Sequence, residues 1–215
     1  MITKKNIYKI LALFFFLCNI FIISAQENWK LKKKVDGIEI YTSESTKFNS
    51  FKGRIILDNS IYSFVAFLND LDEYVNWGYK TKEVSLLKRS GDTLQIYHVI
   101  TQVPFPYKNR DGIYRNKFRW ISESNTLFID IETLDDHILE DKNFVRVKGS
   151  GFWKVVVLNS GKLDITFQMQ IDPGGNIPAW LVNMFIDNTP YHTLINLQKL
   201  IKNEKYQNKT FRFIQ

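Results

Sequence analysis

Residues 162–172, KLDITFQMQID, alternate without a break, with Ile165, Phe167, Met169 and Ile171 on one side and Thr166, Gln168 and Gln170 on the other. A strand of this pattern has one buried face and one wet face. PGG at 173–175 ends it, and Ile177 to about Tyr206 then reads as a helix, the only long one beyond residue 26. Leu181, Met184 and Phe185 make one apolar stripe along this helix, and Leu194, Leu197, Leu200 and Ile201 make another. Pro190 lies between the stripes; it removes the hydrogen bond to residue 186 and predicts a kink. A one-sided strand running into one long helix restricts the chain to a sheet that lays one face on that helix.

The strands for such a sheet are present. GIEIYTSES (37–45) and FKGRIILDN (51–59) read as two of them, the second carrying Phe51, Gly53, Ile55 and Leu57 on one face. Ser60 is placed to cap a short helix, SIYSFVAFLND, in which Ile61, Phe64, Val65 and Leu68 fall at helical spacing. Tyr74 to Trp77 is aromatic but irregular. TKEVSLLKR, TLQIYHVITQV, GIYRNKFRWISE, TLFIDIETL and FVRVKGSGFWKVVVL follow, with turn signals at 90–92, 124–125 and 159–161. Short strands joined by tight turns predict an antiparallel meander, and the terminal helix makes the fold α+β. No repeat or low-complexity linker interrupts residues 26–206, which read as one domain followed by a tail at 207–215.

Ahead of this domain, Lys4, Lys5 and Lys9 precede the apolar run ILALFFFLCNIFII and the small-residue exit at Ala25. That order describes a cleavable signal peptide over residues 1–25, and it predicts export to the periplasm or the medium. Cys18 lies inside the run behind Leu17, where lipid attachment would want a small residue. Without the leader the chain has no cysteine, hence no disulfide, no thiol nucleophile and no thiolate metal ligand. The net charge of +7 falls to +4 once the three leader lysines are removed. The remaining basic runs are short and read as solvated faces, leaving a transient contact with an anionic membrane surface open but predicting no nucleic-acid partner.

Composition adds an aromatic surplus, seventeen Phe, ten Tyr and five Trp, which either fills a core or walls an apolar cavity. Catalytic patterns are missing. His98, His137 and His192 have no metal-ligand spacing, no GxSxG elbow occurs, and DPGGNIP lacks the spacing and lysine of a phosphate loop. Asp135, Asp136, Glu140 and Asp141 read as a solvated turn. No metal or cofactor is predicted, and the pattern favours binding over catalysis. His98 keeps one open role beside Tyr97, orienting a polar ligand group.

The order of these elements resembles the START family, the steroidogenic acute regulatory protein-related lipid-transfer domains, in a secreted bacterial form. The resemblance runs over about residues 27–203 and rests on WKLKKKVDGIEIYTSES, NDLDEYVNWGYKTKEVSLL, PFPYKNRDGIYRN, GFWKVVVL and ITFQMQIDPGGNIPAWLVNMFIDNTPYHTLINL. It implies a helix-grip fold: a curved antiparallel β-sheet wrapped around the long C-terminal helix, with an internal hydrophobic cavity. It also implies a monomer that holds one lipid or other apolar molecule there as a carrier or sensor, without chemistry. Two other readings stay open: a helix-grip enzyme, cyclase-like or hydrolase-like, acting on a bound apolar substrate, and a periplasmic interaction module that binds no ligand.

Some family members bury an acidic residue and an arginine in the tunnel. Aligned through Arg110 and Asp111, those positions hold Tyr97 and Asn116 here, two neutral groups suited to a ligand hydroxyl or carbonyl. The same alignment turns Tyr97, Val99 and Thr101 inward, and then Tyr114, Asn116 and Phe118. Phe167 and Met169 join from the last strand, and Phe185, Ile186, Thr189 and Thr193 from the helix. Arg110 and Asp111 themselves read as a structural pair at the start of their strand.

Overall fold

Alternating residues commit most of the chain to strands, and the computed structural model, which describes residues 28–44 and 49–215, joins ten of them in one sheet. These are β1 (Lys30–Val35), β2 (Ile38–Glu44), β3 (Asn49–Leu57), β4 (Thr81–Ser90), β5 (Leu94–Thr101), β6 (Arg110–Ile121), β7 (Thr126–Thr133), β8 (Val145–Arg146), β9 (Lys148–Val157) and β10 (Leu163–Asp172). Their order across the sheet is β1-β2-β3-β10-β9-β7-β6-β5-β4, each pair antiparallel, with β8 lying parallel on the start of β6. The expected meander therefore runs from β4 to β10, and β10 closes onto β3. The predicted leader and Cys18 lie outside the described residues.

Two local readings change. Lys30 to Val35, read as a solvated basic run, forms an edge strand whose first five residues are all exposed. Asp36 and Gly37 both have positive φ, 53° and 76°, which is the two-residue turn that matches strand twist in a hairpin. The segment FVRVKGSGFWKVVVL, read as one strand, breaks at Val147. Its front end, β8, is drawn to β6 by the ion pair between Arg146 and Asp111. Both edges of the sheet are irregular. The register slips between Leu31 and Lys33 on β1, and between Thr81 and Glu83 and between Leu86 and Lys88 on β4.

Among the described residues three helices complete the fold: α1 (Ile61–Asn69), α2 (Tyr74–Trp77) and α3 (Ala179–Leu200). Ser60 caps α1 as expected, its Oγ accepting from the Ser63 amide at 3.0 Å, and Ile61, Phe64, Val65 and Leu68 are buried. The irregular aromatic stretch at 74–77 is the single turn of α2. The long helix stops at Leu200 and not at Tyr206, because Asn203 accepts the Lys205 amide at 3.1 Å and starts a separate 3-10 turn at Glu204–Tyr206. Residues 211–215 fold back on the sheet, where the Trp120 indole donates to the Gln215 carbonyl at 3.1 Å.

The grip itself depends on Gly53. A Cβ at that position would lie 2.7 Å from Leu194 Cδ1 and 3.1 Å from Pro190 Cβ, so only glycine lets α3 approach β3 this closely. Below that contact the second half of the helix is fixed, with Leu194, Leu197 and Ile201 fully buried. The first half has only Leu181 and Ile186 buried and extends over open space.

Candidate ligand cavity

That space holds a cavity of about 160 Å³. It lies between the first half of α3, α2 with the residues after it, and the inner faces of β5, β6, β9 and β10. Strand parity puts Tyr97, Val99 and Thr101 on its wall from β5, Tyr114 and Asn116 from β6, and Phe167 and Met169 from β10. Phe185, Ile186, Thr189 and Thr193 face it from α3. Eleven of the twelve residues expected there thus surround one cavity. Phe118 shares their parity but lies beyond the closed end, with its ring edge-on to Phe213 at 6.3 Å. The returning C-terminal segment that covers it leaves no periodic signal in the sequence.

Tyr74, Trp77, Tyr79, Arg110 and Trp153 also line the cavity, although none was expected there. The aromatic cluster around Tyr74 was the available signal, but helical placement could not be read from four residues. Trp153 stacks on Phe167 with centroids 4.1 Å apart and meets Phe64 edge-on at 5.6 Å, tying the wall to the core. Thr101, Ile171, Pro173, Ile177, Val182 and Phe185 are only partly buried. The cavity therefore opens between the first half of α3 and the neighbouring ends of β5 and β10.

At the other end the polar groups are neutral. The Tyr97 hydroxyl donates to Asn116 Oδ1 at 3.2 Å, so the two residues standing where a charge pair was sought hold each other. The rings of Tyr74 and Tyr114 lie 5.8 and 5.9 Å from that of Tyr97. Burial pushes the Tyr74 hydroxyl up to about 12. Burial first, and then the neighbouring tyrosines, raises Tyr97 well above its ordinary value. Burial likewise raises Tyr114. These hydroxyls stay protonated at neutral pH and offer hydrogen bonds without charge. The buried Trp77 indole N–H finds no acceptor among the described residues.

Arg110 and Asp111 do not pair with each other. Adjacent on β6, they point to opposite faces. Asp111 accepts from Arg146 Nε at 3.0 Å and Nη2 at 2.8 Å, and lies 3.1 Å from His98 Nε2. His98 thus turns away from the cavity that Tyr97 faces. Arg110 turns toward the cavity and donates only to backbone: Nε to the Pro173 carbonyl at 3.1 Å, Nη1 to Lys108 at 2.6 Å and Nη2 to Gly174 at 3.1 Å. Among the described residues it is the one charged side chain in the lining.

No protein-family model matches the chain. Among curated proteins, it is 29% identical over 175 residues to an uncharacterized protein of Pseudomonas aeruginosa, covering 80% of this chain and 86% of that one. It is 27% identical over 190 residues to the phosphatidylcholine transfer protein of Rattus norvegicus, covering 85% of this chain and 87% of the other. Among solved structures, a STAR-related lipid transfer protein from Xanthomonas axonopodis superposes with a TM-score of 0.74 at 29% identity, covering 81% of this chain and 99% of that chain. Human StAR-related lipid transfer protein 5, at 16% identity, shares the fold with a TM-score of 0.69, over 92% of this chain and 96% of its own. A sheet gripping one C-terminal helix around an apolar cavity is the helix-grip fold, and it is the fold that these STAR-related lipid transfer structures share with this chain.

Proposed function

We propose that this chain binds a lipid or other apolar molecule in the cavity and carries or senses it without chemical change. The observation that carries this reading is the cavity itself. A core otherwise closed by stacked aromatics leaves a cavity of about 160 Å³ between sheet and helix, walled mainly by apolar side chains. Removing apolar ligand surface from water supplies about 25 cal/mol per Å², from which the cost of ordering is subtracted. The tyrosine–asparagine end gives a ligand hydroxyl or carbonyl its partner. Because Gly53 and Leu194 fix the second half of α3, ligand exchange proceeds by movement of the first half, with Pro190 at the division. The basic start and apolar run at residues 1–25 support export, with the carrier working in the periplasm or the medium.

Incubation with phosphatidylcholine vesicles, separation and native mass spectrometry test the reading. A retained lipid is expected, and ligand at roughly a hundred times its Kd should raise the unfolding free energy by about 2.7 kcal/mol. Failure to retain phospholipid, fatty acid or neutral lipid, with no thermal shift for any of them, would sink it.

The loops beside the mouth support a membrane as the place of exchange. Phe105 is 97% exposed, Leu139 92% and Trp180 59%. They lie on three segments joined near the cavity, since Lys108 donates to the Lys142 carbonyl at 2.7 Å and Arg110 holds Pro173. Single exposed apolar residues are ordinary, but three around one cavity mouth suit insertion into a bilayer. Changing Phe105, Leu139 and Trp180 together to serine is expected to slow transfer of phosphatidylcholine between vesicles by about tenfold or more. Lipid retained at equilibrium should stay unchanged. An unaltered transfer rate would remove the membrane from the reading.

A further inference from the structure

We infer that Arg110 is an anion-recognition residue of the cavity, built to take the charged oxygens of a ligand head group, either a phosphodiester or a carboxylate. The inference rests on the lipid-binding reading and adds the chemistry of the ligand's polar end.

Three observations carry it. Arg110 is 6% exposed, yet among the described residues no carboxylate pairs with its guanidinium. Asp111, the next residue, pairs with Arg146, and Asp172, next to the Pro173 that Arg110 holds, accepts from the Gly174 amide at 2.9 Å. A buried cation without a counter-ion is costly, and proteins normally supply one. Backbone carbonyls satisfy some of its N–H groups but leave its net charge uncompensated.

The second observation is place. Arg110 lines the cavity beside Thr101, its cross-strand partner, and beside Pro173 and Ile177 at the opening. It stands six residues from Asn116 along β6, roughly 20 Å at the strand rise. The cavity therefore has a neutral hydrogen-bonding end and a cationic mouth, an arrangement for a long apolar body with a charged head.

The third is geometry. The three carbonyl bonds use Nε and one N–H on each terminal nitrogen, leaving a further N–H on each without an acceptor among the described residues. Paired N–H groups on a planar fork match two oxygens of one phosphate or carboxylate. Burial with no compensating anion also lowers the Arg110 pKa, the direction expected of a site awaiting its counter-ion.

The test compares ligands with the same chains and different heads. The wild-type protein is incubated with dioleoyl phosphatidylcholine against dioleoylglycerol, and with oleic acid against oleyl alcohol, and retained ligand is counted by native mass spectrometry. We expect at least tenfold preference for the charged-oxygen member of one or both pairs; the pair that shows it distinguishes phosphodiester from carboxylate. Arg110→Gln should abolish the preference while retaining the neutral lipids, which also shows that the variant is folded. Arg110→Lys, which keeps charge but loses the fork, should retain part of it. Equal retention within both wild-type pairs overturns the inference, as does a preference undiminished in Arg110→Gln. Retention of no lipid at all would overturn the binding reading as well, so the two failures are distinct.

Discussion

Replacing Asp111 with alanine is expected to lower the unfolding free energy by about 3–5 kcal/mol, because Arg146 is left as an uncompensated buried charge. Both side chains are 4% exposed, and Asp111 accepts two hydrogen bonds from Arg146. The pair also joins β8 to the start of β6, so its loss should loosen the strand that carries Arg110. For a domain of this size the change corresponds to a fall in Tm of roughly 6–20 °C, readable by thermal unfolding. Replacing both partners, Asp111→Leu with Arg146→Met, should recover most of the loss. A double variant no better than the single one would contradict this account.

The same carboxylate sets a pH dependence. Burial pushes the Asp111 carboxyl up, but hydrogen bonds from Arg146 and His98 outweigh burial and hold it below the usual carboxylate range. A depressed folded value means that Asp111 stabilises the protein fully above the unfolded carboxylate pKa of about 3.9 and loses that effect as pH falls through the lower folded value. Wild-type stability should therefore drop more steeply than that of the double variant below about pH 4.

Trp153→Ala carries the second large expectation, again about 3–5 kcal/mol, the usual cost of emptying a buried aromatic site. The indole is 3% exposed, stacked on Phe167 and edge-on to Phe64. It differs from an ordinary core tryptophan in also lining the cavity, so its removal enlarges the ligand space while weakening the wall. Added lipid should then restore part of the lost stability by filling the space, and bulkier lipids should restore more. Trp153→Phe should cost much less than Trp153→Ala. A cost below about 1 kcal/mol for the alanine variant would show that the wall relaxes and that the stack is not a principal support.

The inward face of the sheet was legible because a strand buried on one side must alternate. Phe167 and Met169 follow from that rule, and Tyr97, Tyr114 and Asn116 from the resemblance, aligned through Arg110 and Asp111, combined with it. The cap at Ser60 was legible for a similarly local reason. What could not be read were contacts between residues far apart in the chain. Arg146 lies 35 positions from Asp111, and nothing in either neighbourhood marks the partner. Arg110 holds Pro173 and Gly174 across more than sixty positions, and this separates it from Asp111 although the two are adjacent. Phe118 obeyed the parity rule and still missed the cavity, because parity gives a side chain's face and not how far along the strand the empty space extends.

The slipped registers at the two edges have a consequence for a protein of this kind. An open sheet presents unpaired amides and carbonyls along its outer strands, and a chain that parts its core to exchange ligand is exposed to strand-by-strand polymerisation. On β1 the irregularity falls among Lys30, Lys32, Lys33 and Lys34. On β4 it falls between Leu86 and Lys88, where the strand exposes leucines beside basic residues. Charge and broken pairing geometry together make each edge a poor template for pairing with another copy.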